Sequence, residues 1–445
     1  MEQRGDGFLD RAFGADPDAR RPPAPDPPEI GPFKRSFWKS PLRGPWLTSL
    51  TGSALLVAIV VCAVTGLLSH VAYETTLGGN AVVLGDGPLT FLYAWLSWPA
   101  GWAYLYAVTQ GMHVIFGVAA IPLLLLKLWS VIPKFFERPA VRSLAHMLER
   151  TSLALFIGSA LFLFATGLLN IQGWYPFGFP FVPAHYYASF VFVGALILHL
   201  ALKLPLVARS FCEHGVARPL GRGQTIQEDP ALHESVASEP DPATISRRGL
   251  VGMVGATSLA LAVMMAGQSI GGPLRRIALL APRGQELGTG PNDFQINKTA
   301  AAAQIDVADT GETWALNVIA GGEPVTLTRA DLLALPQVTE RLPIACVEGW
   351  STTQDWTGVP LIELGRMVGG DGAETLLVQS LQKSGSFSEV VLNRAQLSDE
   401  RSLLALQVNG VDLSLDHGFP ARIIVPGAPG VHNTKWVNRL SFGAV

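Results

Sequence analysis

The 445-residue sequence is 49% hydrophobic and only 15% charged, whereas soluble domains are roughly 25% charged. This deficit of charge indicates a membrane protein. The formal net charge of -3 is too small to indicate a nucleic acid or an acidic substrate as partner. The 3 cysteines lie in different parts of the chain, so no disulfide framework is expected in the last domain.

Residues 1–30 are rich in Pro, Asp and Arg and contain no apolar run, which predicts a disordered cytoplasmic tail over residues 1–44 and no signal peptide. Five uncharged apolar stretches follow, each close to the ~20 residues that span a bilayer. They are residues 46–71, 102–126, 151–172, 183–202 and 249–270. The lipid bilayer is therefore a predicted partner.

Lys and Arg in the short loops predict the orientation of these spans. Basic residues precede the first span and separate the second from the third, whereas residues 72–101 and 173–182 contain no Lys or Arg. The N-terminus is therefore predicted to be cytoplasmic, in a multi-pass protein of the cell (inner) membrane. The predicted parts are a four-helix membrane domain, a cytoplasmic linker, a fifth span and an extracytoplasmic domain, over residues 45–210, 211–246, 247–270 and 271–445.

An arginine pair, Arg247 and Arg248, opens the fifth span. The pair resembles the twin-arginine signal, which exports proteins already folded around a cofactor. Positive-inside anchoring would place the same residues there, so both interpretations stay open. The position of the pair before a domain that could carry a cofactor favours export.

Residues 271–445 change in character. Residues 314–320 alternate as a strand does, and Thr328 with Asp331 resembles a capping box before a helix. Residues 360–368 are predicted to form a short helix.

The clearest hairpin lies at residues 404–415, where Asn409 and Gly410 join two apolar arms. Further strands are predicted at residues 419–425 and 435–442. The predicted fold class is an α-helical membrane bundle of four spans plus a fifth anchoring span, followed by a mixed, mainly β domain.

Four histidines lie in or at the ends of the predicted spans, where polar groups are costly and usually functional. His185 and His199 lie on one span, fourteen residues apart, so they share a face and are separated by ~21 Å. His113 lies mid-span in the second helix, and His70 ends the first. Iron with two imidazole ligands needs such side chains from facing helices. The depth of each histidine in the membrane predicts that His113 pairs with His199 and His70 with His185.

Two histidines allow a simpler interpretation. His70 at the end of its span is equally consistent with an interfacial imidazole in water. His146, at the cytoplasmic edge of the third span, is expected to be interfacial rather than a ligand.

Short motifs around these histidines are shared with known membrane cytochromes. They are Thr65-Gly66-Leu67-Leu68, His113-Val114, Leu126-Lys127-Leu128-Trp129, His185-Tyr186 and His199-Leu200-Ala201-Leu202-Lys203. Together they resemble the bacterial di-haem cytochrome b561 and formate-dehydrogenase b-subunit families. The resemblance implies four helices that carry two haems b and exchange electrons with quinone or quinol. Since His70 differs in position from the formate-dehydrogenase type, a single haem is the alternative.

A lone cysteine in the last domain, Cys346, lies in the sequence IACVEGWS. Such a cysteine is usually a small buried hydrophobe, but polar and turn-forming residues follow this one. With residues 356–361, 418–427 and 435–437, the segment resembles the sulfite oxidase molybdopterin domain. More narrowly, it is similar to the catalytic subunit of the periplasmic methionine sulfoxide reductase family, over residues 292–442.

This second resemblance implies a molybdopterin molybdenum cofactor, with Cys346 as the catalytic thiolate ligand of the metal. Soft thiolates suit such a metal, which keeps the sulfur deprotonated. The positions implied to hold the pterin and its phosphate are Asn292, Ser380, His417, Arg422, Asn433, Thr434 and Lys435. A cationic fork, a point charge and backbone donors suit a phosphate, while ordinary strand-end polarity is the alternative for the last four.

His432 departs from the sulfite oxidases, in which the resemblance implies an arginine that helps to bind the anionic substrate. The predicted function is therefore a circuit of quinol, two haems b and molybdenum that reduces a small S-oxide or N-oxide. Two alternatives stay open. One is a sulfite-type dehydrogenase that donates electrons to quinone, and the other is an electron-transfer cytochrome whose last domain binds a partner without catalysis.

Overall fold

The computed structural model of the chain describes residues 30–73, 98–99, 101–136, 143–223, 226, 228–230, 233, 235–281, 283, 287–383, 385 and 387–443. Most of the predicted cytoplasmic tail lies outside these residues. The same holds for most of the predicted loop at residues 72–101.

Five helices among the described residues are long and apolar enough to cross a membrane. They are α1 (Pro45–Tyr73), α2 (Leu105–Val131), α3 (Leu144–Ile171), α4 (Phe181–His214) and α5 (Arg247–Ile270). Each predicted apolar stretch falls on one of them, which confirms five apolar helices. Several extend beyond the stretch, because polar and basic residues such as Lys and Arg continue a helix as well as many apolar residues do.

The chain divides into two compact units, one with residues 1–58, 119–169 and 175–259 and one with residues 59–118, 170–174 and 260–445. In the first unit, the described part of the predicted linker packs against the start of α1. The Trp46 backbone N–H donates to the Glu228 carboxylate (2.8 Å), and the Trp46 indole donates to the Gly215 carbonyl (2.9 Å). The carboxylate complements the positive end of the helix dipole.

The second unit contains two five-stranded sheets, with the orders β2-β1-β10-β5-β6 and β3-β4-β7-β8, where β9 also pairs with β7. The strands are β1 (Ala315–Ile319), β2 (Val325–Thr328), β3 (Val338–Ala345), β4 (Ser351–Pro360), β5 (Thr375–Ser380), β6 (Glu389–Asn393), β7 (Leu403–Val408), β8 (Val411–Asp412), β9 (Arg422–Ile424) and β10 (Val437–Phe442). Strands β1 and β10 are parallel, and the other pairs are antiparallel. Short helices are α6 (Arg329–Ala334), α7 (Leu361–Met367) and α8 (Arg394–Leu397).

One hydrophobic core joins the two sheets. Leu316, Leu376 and Leu440 from the first sheet belong to the same buried cluster as Leu404 and Ile423 from the second. Because alternate residues of a strand face opposite sides, each sheet places one apolar face in this core. Full burial of each such side chain contributes about 1.5 to 3 kcal/mol to stability.

Several local predictions are confirmed. Strand β1 lies within the stretch predicted at residues 314–320, and α7 lies within the helix predicted at residues 360–368, each one residue shorter at both ends. The capping box at Thr328 and Asp331 is present in both directions before α6. The mixed, mainly β character of the domain is therefore as expected.

Three predicted strands are shorter than expected, and one of them, predicted at residues 419–425, is only Arg422–Ile424. The hairpin turns at Asn409 and Gly410, both with positive φ, but its second arm is only Val411–Asp412. The Ser414 side chain then caps a 3₁₀ turn at Leu415–His417, which ends the strand. Strand β10 begins two residues later than predicted, because Trp436 has φ 53°, outside the extended region.

Candidate active site

Cys346 lies in the turn of the hairpin formed by β3 and β4, where Ala345 pairs with Ser351. The Cys346 N–H donates to the Trp350 carbonyl (2.9 Å), and the Gly349 N–H donates back to the Cys346 carbonyl (2.9 Å). Gly349 has φ 88°, a conformation that residues with a Cβ rarely adopt. These bonds fix the backbone on both sides of the thiol.

Side chains from α2 and α5 hold the carbonyls of this turn. The donors are Gln110 on α2 and Gln268 and Ser269 on α5. The bonds are Gln110 Nε2 to Val347 O (2.7 Å), Gln268 Nε2 to Glu348 O (3.2 Å) and Ser269 Oγ to Gly349 O (2.6 Å). We name residues 346–349 the thiol turn.

The carboxylate of Glu348 closes the other side of the thiol turn. It accepts a hydrogen bond from the Trp350 indole (2.7 Å) and pairs with the Arg283 guanidinium, whose Nε lies 2.9 Å from one carboxylate oxygen. Since the carboxylate is buried, this pairing compensates for much of its desolvation.

The thiol of Cys346 is 5% exposed. Burial, followed by the nearby Glu348 carboxylate, raises the pKa of the thiol to about 12. A coordinated metal reverses this preference, because it holds the thiolate outright. The protein alone therefore keeps a protonated thiol, and only a cation at the sulfur would ionise it.

A pair of buried cations, Arg422 and Lys435, lies in the same domain. Arg422 donates to the carbonyls of His417 (2.9 Å) and Asn433 (3.1 Å). The Lys435 ammonium donates to the carbonyls of Lys298 (2.7 Å) and Asp416 (2.8 Å). An ionised Cys346 would raise the pKa of Lys435. We name this region, with His417 and Asn433, the cation pocket.

The cation pocket fits an anionic group. Neither Arg422 nor Lys435 has a carboxylate in salt-bridge contact among the described residues, and Arg422 Nε and Asn433 Nδ2 are buried there without a hydrogen-bond partner. Burial lowers the pKa of Arg422 to about 9, and burial followed by the Arg422 charge lowers the pKa of Lys435. A phosphate would satisfy these donors and offset the cost of burying two like charges.

His417 and Asn292 connect to the cation pocket. The His417 ring stacks on Phe294, with ring centroids 3.7 Å apart, and its Nε2 lies 2.9 Å from the Asn292 carbonyl. Burial lowers the pKa of His417 to about 3, so the ring is neutral. The Asn292 side chain is engaged with β8, since it donates to the Asp412 carbonyl and accepts from the Ser414 N–H.

The remaining predicted pterin-contacting residues lie at the end of β5 and between β9 and β10. Ser380 donates to the Lys435 carbonyl (2.7 Å). Asn433 accepts the Val425 N–H (2.8 Å), and the Thr434 carbonyl accepts the Ile423 N–H (2.8 Å). The structure thus links all seven of these positions in one hydrogen-bonded region of the domain.

Within the second unit, His113 on α2 contacts α1. Its Nδ1 lies 2.8 Å from the Cys62 carbonyl and 3.4 Å from the Cys62 sulfur. Gly66 faces the same ring, since a Cβ at Gly66 would lie 2.5 Å from His113 Nδ1. An imidazole that donates one ring N–H to a carbonyl has the arrangement common among metal-ligating histidines. The predicted ligand His70 lies in the last turn of α1.

Within the first unit, His185 and His199 lie on α4, as predicted. The His185 Nδ1 lies 3.0 Å from the Thr166 hydroxyl, which itself donates to the Phe162 carbonyl (2.8 Å). The His199 ring stacks on Phe156, with ring centroids 4.9 Å apart. Their pairing with the histidines of the other unit stays a prediction.

Residues outside the expected set also belong to this region. Gln110 holds the thiol turn, and Tyr106, on the same helix, lies in a buried cluster with Ala345. A polar residue in an apolar span was a usable signal for Gln110. Lys298, whose carbonyl accepts from Lys435, carries no local signal of this kind.

Comparison with known families defines the class of this domain. Residues 302–444 match the family described as oxidoreductase molybdopterin binding domain. This part of the chain is a molybdopterin-binding oxidoreductase domain.

The relatives narrow the class. Human mitochondrial sulfite oxidase is 28% identical over 158 residues, which cover 29% of this chain and 29% of that protein. The protein-methionine-sulfoxide reductase catalytic subunit MsrP of Ralstonia nicotianae is 31% identical over 132 residues, 27% of this chain and 40% of that protein. A protein of Azospira oryzae named as the subunit YedZ1 of such a reductase is 31% identical over 113 residues, 25% of this chain and 42% of that one. The chain is similar to these proteins over part of its length, and it spans less than half the length of each.

Proposed function

We propose that the chain is a membrane-bound molybdenum oxidoreductase that passes electrons from quinol through haems b to a molybdenum site in its C-terminal domain. One observation carries this proposal. The thiol turn is bonded to Gln110 of α2, three residues from His113, a predicted haem ligand. A metal on Cys346 and a haem on His113 would therefore lie on neighbouring parts of one compact unit.

The residues of the site have distinct tasks in this proposal. Cys346 holds the metal through its thiolate, while Arg422 and Lys435 hold the anionic end of the pterin. Neutral His417, Asn292, Ser380, Asn433 and Thr434 shape the surrounding backbone and contact the pterin. When bound, the cofactor supplies oxygen-atom transfer, and the protein supplies orientation and electrostatics.

His432 supports a neutral oxide as substrate. It is fully buried, and its Nε2 lies 3.2 Å from the Tyr73 carbonyl. Burial lowers the pKa of His432 to about 4, so the side chain is uncharged near neutral pH. Sulfite oxidases are expected to have an arginine there. An uncharged imidazole favours a small S-oxide or N-oxide over an oxyanion, because a desolvated anion needs a compensating charge.

The proposal keeps the orientation that the basic residues predict, with a cytoplasmic N-terminus and an extracytoplasmic C-terminal domain. The Arg247 guanidinium donates to the Pro41 carbonyl (2.9 Å), and Arg248 is exposed. Export of the folded domain through the arginine pair remains part of the proposal. Replacing both arginines by lysine would then leave the cofactor-loaded domain on the cytoplasmic side, while the first four spans insert normally.

The proposed function is tested in the purified, dithionite-reduced full-length protein. We expect a small S-oxide such as dimethyl sulfoxide to reoxidise the haems, and sulfite to leave them reduced. Metal analysis separates this enzyme from a non-catalytic cytochrome, which would contain haem without molybdenum. Haem reduction by sulfite in the oxidised protein would instead support the dehydrogenase.

The haem ligands are tested separately. His199→Ala and His185→Ala should each remove one of two haems and so halve the haem content, since an iron that loses one of two imidazoles is weakly held. His146→Ala is the control, and it should retain both haems. Unchanged b-type spectra in both α4 variants would exclude this ligand assignment without affecting the molybdenum site.

A further inference from the structure

Tyr106, in the first turn of α2, carries a buried polar group in a cluster beside the thiol turn. Its side chain is 1% exposed and packs with Ala72, Trp98 and Ala345. The Tyr106 hydroxyl is buried without a hydrogen-bond partner among the residues that the structure describes. Buried tyrosines usually satisfy this group, and an unsatisfied one costs about 1 to 3 kcal/mol.

Tyr106 belongs to the same buried cluster as Ala345, which directly precedes Cys346. Cys346 is itself buried. A buried donor without a hydrogen-bond partner among the described residues therefore lies on a side chain packed beside the position that the proposal assigns to the metal.

Two neighbouring residues on the same face of α2 also contact the thiol turn. Gln110 lies one turn further along α2 and donates to the Val347 carbonyl, and Val114, a turn beyond that, lies against Gly349. Residues four apart share a face of a helix. One face of α2 therefore packs along residues 345–349. On that face, Tyr106 packs beside Ala345, the last residue of β3.

The C-terminal domain has no phenol of its own, because the last tyrosine of the sequence is Tyr187. We propose that Tyr106 is a catalytic residue, supplied by an apolar helix, whose hydroxyl donates a hydrogen bond to the oxygen of the substrate beside Cys346. This inference rests on the proposed function and adds that the site is completed by α2. A fixed donor in a water-excluded site acts on developing charge far more strongly than it does in water.

The test compares Tyr106→Phe with Tyr104→Phe in the molybdenum-loaded, full-length protein. Tyr104 is 41% exposed and lies two residues earlier, so it is a matched control. For Tyr106→Phe we expect kcat/KM for the S-oxide to fall on the order of 100-fold, and the paramagnetic resonance signal of singly reduced molybdenum to shift. Tyr104→Phe should leave both unchanged.

A purely structural role makes the opposite prediction. Removing an unpartnered hydroxyl loses no hydrogen bond, so Tyr106→Phe would keep the wild-type kinetics and resonance signal, with equal or higher thermal stability. That result would overturn the inference, and so would loss of molybdenum from the variant, because a donor to the substrate is not needed for loading. If the wild type itself contains no molybdenum or reduces no S-oxide, the proposed function fails instead.

Discussion

The cation pocket and the thiol turn are two halves of one proposed site, and they are held in place in different ways. In the pocket, Arg422 and Lys435 donate to carbonyls of the C-terminal domain itself. The carbonyls of the thiol turn accept hydrogen bonds from α2 and α5. The proposed cofactor contacts therefore lie within the domain, whereas the position of the proposed metal-binding thiol depends on the apolar helices.

This difference has a consequence for electron transfer. The hydrogen bonds of the Arg422 and Lys435 side chains are all made within the C-terminal domain, so the proposed pterin contacts do not depend on the helices. A thiol turn bonded to α2 and α5 fixes the distance between the proposed metal and the helix that carries His113. Electron transfer between the proposed metal and the proposed haem would thus depend on the thiol turn rather than on the cation pocket.

The largest expected effect is at the thiol itself. Cys346→Ser should reduce S-oxide-dependent reoxidation of the haems to the rate without oxide, because a hydroxyl is a poor ligand for a metal that prefers thiolate. The cation pocket is untouched, so the pterin should remain bound. Pterin content and haem reoxidation are measured on the same sample.

Cys212→Ser is the matched control, since Cys212 is an exposed free cysteine outside the domain, and it should behave as the wild type. Equal reoxidation rates in Cys346→Ser and the wild type would end the thiolate assignment.

The next largest effect tests the pocket. Arg422→Met should weaken retention of the cofactor by about 10- to 150-fold, since a hydrogen bond to a charged group contributes about 1.5 to 3 kcal/mol. Retention is measured as pterin fluorescence after extended dialysis. Arg439→Met is the control, because Arg439 is exposed on β10. Equal retention in the two variants would show that the Arg422 guanidinium does not contact the pterin.

The two halves also differ in how far the sequence predicts them. The residues of the cation pocket were predicted from motifs within the domain, and the structure brings them together. The partner of Gln110 lies 237 residues further along the chain, and no local pattern indicates such a contact. A family resemblance confined to one domain also does not predict contacts that helices outside the domain make with it.

The strands that present Cys346 were missed for a local reason. Strand β3 contains two charged residues and Pro343, which all weaken a strand pattern. It tolerates proline because it lies at the edge of its sheet. By contrast, the turn at Asn409 and Gly410 was predicted, because positive φ at two successive residues requires such residues.

An effect on stability rather than on the cofactor tests whether the thiol turn is held from α2. A Cβ at Gly349 would lie 2.8 Å from the Val114 side chain, and Val is stiff at χ1. Gly349→Ala should therefore lower the free energy of unfolding by about 1 to 2 kcal/mol for the positive φ and by a further ~1 to 3 kcal/mol for the contact. Denaturant unfolding of the purified protein gives these values.

The variant Gly321→Ala separates the cost of the positive φ from the cost of the contact, since Gly321 has φ 73° and nothing within 4 Å of its would-be Cβ. It should show only the loss of stability due to the positive φ, and it should keep the wild-type rate of haem reoxidation. Equal destabilisation in the two variants would mean that α2 does not constrain the thiol turn.

The smallest effect is the pH dependence that His417 gives to the cation pocket. Its folded pKa is about 3, below the ordinary value of roughly 6.5, so the folded ring stays neutral while the unfolded chain gains a proton as the pH falls below that value. Between pH 7 and pH 5 this favours unfolding by about 2 kcal/mol, or ~4 to 8 °C in the melting midpoint.

The variant His417→Gln should lose the part of the acid sensitivity that is due to His417 and retain the part due to His432. The control His146→Gln should retain the full acid sensitivity. Since His417 packs on Phe294 of its own domain, the effect should persist when Gly349→Ala has loosened the thiol turn. An acid-induced fall in the melting midpoint that is the same in His417→Gln and the wild type would show that this ring is not held neutral by the fold.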